Sequence, residues 1–230
     1  MTALDDRIAA GMRDQLAARD ERLRGGERQI GWKVGFGAPA AMEKLRTGRP
    51  LVGHLFEAGL VSNGAAVAVG DWVTPMLEPE IAVHMARDVP GDGSRDDVSA
   101  AIGGLSGAIE LADLDPPPED VRAILAGNIF HRHVLLGPVD RDRSTAEGVT
   151  ARVVIDGEEV AGADDPAALV GELVEVVRLT AETLAACGER LHAGEVVITG
   201  SIVPPQPVAA GQRVSVDLGP LGALELRLTS

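Results

Sequence analysis

The sequence has few of the residue types on which several protein classes depend. It contains one cysteine, no tyrosine, two tryptophans and three phenylalanines in 230 residues. The lone Cys187 excludes a framework of intrachain disulfides and is consistent with a reducing compartment. No apolar run reaches the ~20 residues that span a bilayer, and charged residues at positions 5–7 leave no signal-peptide core. The sequence therefore predicts a cytoplasmic protein without a membrane partner.

An excess of positive charge is also lacking. Acidic side chains outnumber basic ones by 35 to 21, which gives a formal net charge of −14. This charge repels phosphate backbones, and no basic stripe interleaved with aromatic residues is present to override it. Nucleic acid is therefore not an expected partner.

The composition that remains is that of a folded chain with many turns. Hydrophobic residues make up 45% and charged residues 24%, while 28 glycines and 14 prolines argue against an all-helical architecture. Residues 1–28 are predicted to form an amphipathic helical arm that ends at Gly25 and Gly26. Residues 29–230, which contain no linker-like segment, are predicted to form a single α+β domain.

Hydrophobic periodicity gives a coarse order of elements. Helices are predicted over residues 3–24, 39–45, 96–105, 119–125 and 166–187, of which the last is the longest. Strands are predicted over residues 30–36, 67–73, 77–85, 108–114, 128–136, 149–155, 158–161, 196–199, 214–218 and 223–228. Asp156-Gly157 is a strong signal for a two-residue hairpin turn.

Two glutamates alternate with apolar residues in the strand predicted over 77–85. Because side chains of a strand alternate between its faces, Glu78 and Glu80 project the same way. Two carboxylates that converge to ~4 Å repel each other by about 4 kcal/mol at an effective dielectric constant of 20, and a divalent cation converts this repulsion into attraction. The alternative is a solvated edge strand, which Pro79 favours.

Glu110 lies in an apolar strand that is interpreted as buried. A buried, unpaired carboxylate costs several kcal/mol, so it needs a counter-charge or a proton. Pairing with an arginine is the alternative to binding a divalent metal ion. Three carboxylates without thiolate or imidazole suit a hard ion such as Mg²⁺, Mn²⁺ or Ca²⁺, and make zinc less suitable.

Further polar residues are candidates for chemistry around these carboxylates. Lys33 is the candidate acid–base group, and its same-face neighbours Gly31 and Gly35 are expected to leave room for a ligand, unless it is an ordinary solvent-facing lysine. The turn at 199–201 could direct N–H groups and a hydroxyl at a carboxylate. No glycine pattern indicates a nucleotide cofactor.

Several short motifs occur together from about residue 29 to the C-terminus. They are Gly31-Trp32-Lys33-Val34-Gly35, the E-P-E of Glu78 and Glu80, Glu110, Asn128, and Thr199-Gly200-Ser201. In this order and spacing they resemble the fumarylacetoacetate hydrolase superfamily, specifically its 2-keto-4-pentenoate hydratase branch.

The resemblance implies a mixed β-roll core with peripheral helices and a homo-oligomeric assembly. It also implies a Mg²⁺ or Mn²⁺ ion held by Glu78, Glu80 and Glu110, with Lys33 as the active-site lysine. The expected substrate is a small 2-oxo acid whose carboxylate and oxo oxygens chelate the metal. Substrate contacts are expected from Asn128, His131, Thr199, Gly200 and Ser201.

This resemblance implies a lyase that works through a metal-stabilised enolate. Hydration of a 2-keto-4-pentenoate (2-hydroxy-2,4-dienoate) ranks first; in this reaction Lys33, or a water it orients, moves the proton and a second water adds to the conjugated double bond. The metal and the lysine do not by themselves choose between hydration and decarboxylation. Decarboxylation of a 2-oxo-3-enedioate uses the same enolate and ranks second. Hydrolysis of an acylpyruvate ranks third, because the His–Glu pair of the hydrolytic relatives is not located. A non-catalytic relative that binds a metabolite is the competing class.

Two departures from the family pattern qualify the resemblance. Leu51 stands where the hydratases usually have an aspartate, so either Glu57 or His54 is expected to take its catalytic role, or the reaction differs. The segment after Asn128 is bulkier and more basic than in the family. There His131 and His133 share a strand face and are interpreted as surface or pocket-rim residues that meet a second substrate carboxylate, with a metal pair as the alternative.

Overall fold

The computed structural model describes residues 4–115 and 120–230, in which helices surround two β-sheets. The described α-helices are α1 Asp6–Arg24, α2 Pro39–Leu45, α3 Arg95–Ala101, α4 Val121–Ala126, α5 Ala167–Val170 and α6 Leu173–Ala186. None of these helices combines the length and the apolar character that a membrane crossing needs.

Both sheets are mixed. The described strands are β1 Gln29–Gly35, β2 Leu51–Phe56, β3 Leu60–Val61, β4 Ala66–Ala68, β5 Pro75–Met85, β6 Ile102–Asp113, β7 His131–Leu136, β8 Ala151–Ile155, β9 Glu158–Ala163, β10 Val196–Ile198, β11 Gln206–Pro207, β12 Arg213–Asp217 and β13 Ala223–Thr229. The larger sheet has the order β2-β1-β10-β5-β6-β7-β3, with β11 beside β5, and the smaller has the order β4-β13-β12-β8-β9. The pairs β1–β10, β3–β7 and β4–β13 are parallel and the others are antiparallel.

The larger sheet curls into a roll. Strands β2 and β3 stand at opposite ends of its order, yet only the short 3-10 turn Glu57–Gly59 separates them in the chain. Six strand spacings of a flat sheet would hold these ends about 29 Å apart, whereas this turn reaches about 15 Å at most. The ends therefore meet only if the sheet closes on itself, which agrees with the predicted mixed β-roll.

Buried apolar residues from five strands fill part of the inner face of this roll. They are Leu55, Ala82, Ala108, Val134, Val196 and Ile198. The main core lies elsewhere, against the second sheet and the helices, and includes Ile8, Met12 and Leu16 of α1. Gln15 joins α1 to its neighbours, because its side-chain amide donates to the carbonyl oxygens of Val52 at 3.2 Å and Leu125 at 2.9 Å. The predicted boundary between residues 28 and 29 falls between α1 and β1.

Several predicted elements are confirmed. The hairpin turns at Asp156-Gly157, where both residues have positive φ (52° and 89°), as a type I′ turn requires. Helix α2 has the predicted bounds, and β5 extends the predicted strand by two residues.

Two helix predictions were wrong in extent. The single helix expected over 166–187 is interrupted at Gly171, whose φ of 78° and ψ of −167° are not helical, so α1 with 19 residues is the longest described helix. The helix expected over 96–105 ends at Ala101. Gly103 and Gly104 are poor helix formers, and pairing with β5 extends β6 back to Ile102.

Three further boundaries also differ. The strand expected over 67–73 stops at Ala68, where a turn leads toward β5. The strand expected over 128–136 begins at His131, because residues 128–130 form a tight turn with positive φ. The helix expected over 119–125 corresponds to α4, which spans Val121–Ala126. Residue 119 of this prediction and residue 3 of the first predicted helix lie outside the described residues.

The burial of α1 predicts that it unfolds together with the rest of the chain. We expect Met12→Ala, at a side chain with 0% exposure, to lower the free energy of unfolding by about 2–5 kcal/mol in one cooperative transition. Leu23→Ala, on the same helix at 37% exposure, is the control and should have little effect. Urea unfolding followed by circular dichroism measures both. A separate early transition that alone responds to Met12→Ala would contradict the expectation.

Candidate active site

Three buried or half-buried carboxylates meet on the inner face of the roll. Glu78 and Glu80 point the same way from β5, and the register places Glu78 directly opposite Glu110 of β6. One carboxylate oxygen from each of the three lies within 4.8 Å of the others. The convergence expected from the sequence is therefore present, and we call these residues the carboxylate cluster.

Glu110 is held by two nitrogen donors from other strands. The ammonium of Lys33 on β1 contacts Oε1 of Glu110 and also donates to the carbonyl oxygen of Ile129 at 3.1 Å. Nδ1 of His131, the first residue of β7, lies 2.7 Å from the same Oε1. The buried counter-charge is thus a lysine, and the arginine considered as an alternative is not the partner that the structure places there.

The carboxylate of Glu80 is held by a backbone N–H group, whereas that of Glu110 is held by a lysine ammonium. Its Oε2 accepts the N–H of Gly200 at 2.7 Å. Gly200 has a φ of 94°, which side chains other than glycine rarely adopt, so the turn after β10 depends on this residue to present its N–H. The backbone of one strand connection thereby positions a carboxylate of another strand.

The environment moves the pKa values of these carboxyls in opposite directions. Burial, reinforced by the charge of Glu110, raises the pKa of Glu78 to about 7. Burial and then the charges of Glu110 and Glu78 raise the pKa of Glu80 well above its usual value. Burial also acts to raise the pKa of Glu110, but Lys33 and His131 outweigh it and lower that pKa. The cluster therefore holds one stable carboxylate beside two that are reluctant to ionise alone.

The unused oxygens of the cluster suit a divalent cation. Within the described residues, Oε1 of Glu80 and Oε2 of Glu110 are buried and have no hydrogen-bond partner. Unpaired buried carboxylate oxygens are costly, and a hard cation that prefers oxygen ligands would satisfy them. The donor set therefore fits Mg²⁺ or Mn²⁺, with Glu78, Glu80 and Glu110 as ligands.

A cavity of about 330 Å³ opens beside the cluster. Its lining includes Lys33, Glu78 and the predicted turn residues Thr199, Gly200 and Ser201. Both hydroxyl groups of this turn and the N–H of Gly200 already have partners in the protein. The Thr199 hydroxyl donates to Ile81 at 3.0 Å, the Gly200 N–H to Glu80, and the Ser201 hydroxyl to Val203 at 2.6 Å. Their expected contacts with a substrate stay a prediction.

The tight turn at residues 128–130 closes the roll over Lys33. Asn128, Ile129 and Phe130 all have φ between 52° and 63°, an unfavourable conformation for a β-branched residue such as Ile129. The Asn128 amide accepts the N–H of His54 at 2.8 Å and donates to its carbonyl oxygen at 3.0 Å. Asn128 therefore attaches this turn to β2. The hydrogen bond from Lys33 to the carbonyl oxygen of Ile129 was not predicted, because every residue has a backbone carbonyl and the sequence does not show which one contacts the lysine.

The glycines beside Lys33 were expected to leave room for a ligand. Gly35 lines the cavity together with Lys33, whereas Gly31 packs against the backbone of Val196. A Cβ on Gly35 would meet Ile129 at 2.7 Å, and one on Gly53, the register partner of Lys33, would meet the side-chain oxygen of Asn128 at 2.7 Å. The glycines thus allow close packing of the turn at residues 128–130 against the lysine strand.

Neither candidate for the missing family aspartate lies at the cluster. His54 belongs to the opposite face of β2 from Gly53, its ring packs against Phe56 at 5.1 Å, and burial lowers its pKa to about 3. Glu57 is exposed and forms an ion pair with Arg28. Leu51 is completely buried in the main core. The predicted acid–base role of His54 or Glu57 gains no support from these positions.

The interpretation of the two histidines as surface or rim residues was wrong for His131. Its side chain is 7% exposed and contacts Glu110, and it is not part of the cavity lining. Alternation on β7 could not reveal this, because the contact depends on the register with β6. His133 instead stacks on Trp72, with ring centroids 6.0 Å apart.

Replacement of Glu78 should stabilise the metal-free protein at high pH. The folded-state pKa of Glu78, about 7, exceeds its ordinary value of 4.5, so the folded state binds this proton more tightly than the unfolded state does. The associated stability is present below pH 4.5 and is lost as the pH rises through 7. We expect Glu78→Gln to raise the free energy of unfolding by roughly 1–3 kcal/mol at pH 8 and by less at pH 5.

Urea unfolding in the presence of EDTA measures this difference. Glu57→Gln is the control, because Arg28 lowers the pKa of this exposed carboxyl, and the control should show no gain at pH 8. An equal gain for Glu78→Gln at both pH values would contradict the expectation.

Known proteins are similar to this chain over most of its length. The profile described as "Fumarylacetoacetate (FAA) hydrolase C-terminal" matches residues 36–229. The 2-hydroxyhexa-2,4-dienoate hydratase of Comamonas testosteroni is 29% identical, covering 89% of this chain and 80% of that protein. The 2-keto-4-pentenoate hydratase 1 of Dechloromonas aromatica is 27% identical, covering 95% and 89%.

A solved structure extends the similarity to the fold. The 4-oxalocrotonate decarboxylase from Pseudomonas putida G7, complexed with magnesium and adipate, superposes with a TM-score of 0.89 at 26% identity. The match covers 96% of this chain and 86% of that one. By sequence over most of its length and by its rolled mixed sheet, this chain belongs to the fumarylacetoacetate hydrolase family.

Proposed function

We propose that this protein is a divalent-metal-dependent lyase of 2-oxo acids. Hydration of a 2-keto-4-pentenoate type substrate is the first reaction, and decarboxylation of a 2-oxo-3-enedioate is the second. The observation that carries the proposal is the carboxylate cluster beside a cavity that Lys33 lines. Two buried oxygens of this cluster have no hydrogen-bond partner among the residues that the structure describes. Both reactions have support, because similar proteins are named as hydratases and as 4-oxalocrotonate decarboxylases.

In the proposed site, Glu78, Glu80 and Glu110 hold Mg²⁺ or Mn²⁺. When bound, such an ion supplies Lewis-acid polarisation of the 2-oxo group and lowers the free energy of enolate formation. Gly200 orients Glu80, and Lys33 and His131 orient Glu110 by sharing its Oε1, which leaves Oε2 of Glu110 for the ion.

Lys33 is the proposed proton-transfer group. Of the three N–H groups of its ammonium, two are directed to Glu110 and Ile129, and one remains for a molecule in the cavity. A water adds its hydroxyl group to the conjugated double bond, and Lys33 donates a proton to C3 of the substrate, directly or through a water that it orients. The proton that the added water loses restores the Lys33 ammonium.

Turnover tests this proposal. We expect the ultraviolet absorbance of a 2-hydroxy-2,4-dienoate to fall in the presence of enzyme and Mg²⁺, and this loss to stop with EDTA. Lys33→Met should lower the rate by about 10²–10⁴-fold, because it removes the acid–base group. The chain has only two lysines, so Lys44→Met, at an exposed position on α2, is the matched control.

The product distinguishes the candidate reactions. Release of carbon dioxide from an oxalocrotonate-like diacid, without turnover of the dienoate, would favour the decarboxylase. Binding of a 2-oxo acid without turnover of any substrate would favour a non-catalytic relative.

His131 is proposed as a positioning residue for Glu110 and not as a substrate contact. We expect His131→Leu, which removes the Nδ1 donor, to weaken Mn²⁺ binding by about tenfold or more. His131→Asn places an amide N–H near the position of Nδ1 and should restore most of the affinity. Calorimetric titration of the metal alone measures both variants. Equal affinities for the two variants would argue against a positioning role.

We also propose that the chain works in the cytoplasm as a homo-oligomer, as the family resemblance implies. Light scattering after size-exclusion chromatography determines the number of subunits.

A further inference from the structure

Among the described residues, the cavity beside the carboxylate cluster is lined by charged side chains only where it meets that cluster. The charged side chains in its lining are Lys33 and Glu78. Glu78 belongs to the cluster, and Lys33 is ion-paired with Glu110 of the same cluster. The rest of the lining includes Phe36, Phe130, Leu169, Val170, Val203 and Pro204, which are all apolar.

The basic side chains nearest in sequence to this lining contact carboxylates outside the cavity. His131, which was expected to meet a second substrate carboxylate, is buried against Glu110 outside the lining. Arg132 is paired with Asp113 and lies over the Trp72 ring. Among the described residues, the lining therefore offers no cation besides Lys33. The sequence of residues 116–119, Pro-Pro-Pro-Glu, adds no cationic side chain.

Two phenylalanines are placed in the lining by unusual backbone geometry. The chain has three phenylalanines, and two of them, Phe36 and Phe130, face the cavity with ring centroids 6.4 Å apart. Both have positive φ, 55° and 63°, which bulky side chains rarely adopt. Such strain persists only where the surrounding structure enforces it, and it concentrates at functional sites.

We infer that the substrate's tail, beyond its 2-oxo acid head, is an uncharged hydrocarbon and not a second carboxylate. This inference rests on the proposed function, because the head is taken to lie at the carboxylate cluster. A carboxylate among these apolar side chains would lose its water without gaining a counter-charge, whereas an alkyl or alkenyl tail is favoured by the same burial. Phe36 and Phe130 are the specificity-determining residues, and the site selects monoacid dienoates over enedioates.

Two stable ligands of equal chain length test this selection. 2-Oxohexanoate ends in a methyl group and 2-oxoadipate ends in a carboxylate, while their heads are the same. With the Mg²⁺-loaded protein, we expect calorimetry to give a dissociation constant for 2-oxoadipate at least about tenfold larger. Equal or tighter binding of 2-oxoadipate would overturn the inference and leave the proposed function intact. Oxalate, which carries only the head, reports the proposed function, and its failure to bind with Mg²⁺ would overturn both.

A charge introduced into the lining provides a second test. Leu169→Arg places a cation at a half-buried lining position, and it should shift the ratio of the two dissociation constants at least about tenfold toward 2-oxoadipate. Leu23→Arg adds the same charge at an exposed position on α1, outside the lining, and should leave the ratio unchanged. An equal shift in both variants would show that overall charge, and not the tail site, sets the preference. If Leu169→Arg does not fold, the comparison of ligands on the unmodified protein still decides.

Discussion

The charge balance inside the roll is the constraint on which the rest of the site depends. Three carboxylates and one ammonium, from Lys33, leave two negative charges in a place from which water is largely excluded. Without a cation, the raised pKa values of Glu78 and Glu80 allow protons to neutralise these charges. A divalent cation would neutralise the same two charges. The net charge of the site is therefore the same with and without the ion, and only the neutralising species, protons or metal, changes.

The rolled sheet is the means by which this balance is achieved. The members of the cluster and their partners come from β1, β5, β6, β7 and the turn after β10, and a flat sheet would leave β1 and β6 too far apart for Lys33 to contact Glu110. The buried apolar residues on the inner face lower the local dielectric constant, which strengthens the electrostatic interactions there. The curl of the sheet is therefore necessary for the site, because it brings the Lys33 ammonium to the carboxylates.

The sequence predicted the parts of this site that depend on local periodicity. Alternation placed Glu78 and Glu80 on one face, and the apolar neighbours of Glu110 indicated its burial. Strand register was not predictable, so the pairing of Glu78 with Glu110 and the contact of His131 with Glu110 appear only in three dimensions. The turn at residues 128–130 was misassigned for a physical reason. Isoleucine and phenylalanine disfavour positive φ, and the packing of Ile129 on Gly35 and the bonds of Asn128 to β2 override that preference.

That turn also connects the position of an edge strand to the position of the proposed acid–base group. Its asparagine fastens the edge strand β2, and the next residue along the chain supplies the carbonyl oxygen that Lys33 contacts. Loss of this turn's conformation would leave the acidic residues on their strands but remove one of the two acceptors that hold the Lys33 ammonium. The same three residues thus fix both an edge of the roll and the direction of the Lys33 ammonium, so a substitution that disturbs the turn affects the sheet edge and the cavity lining together.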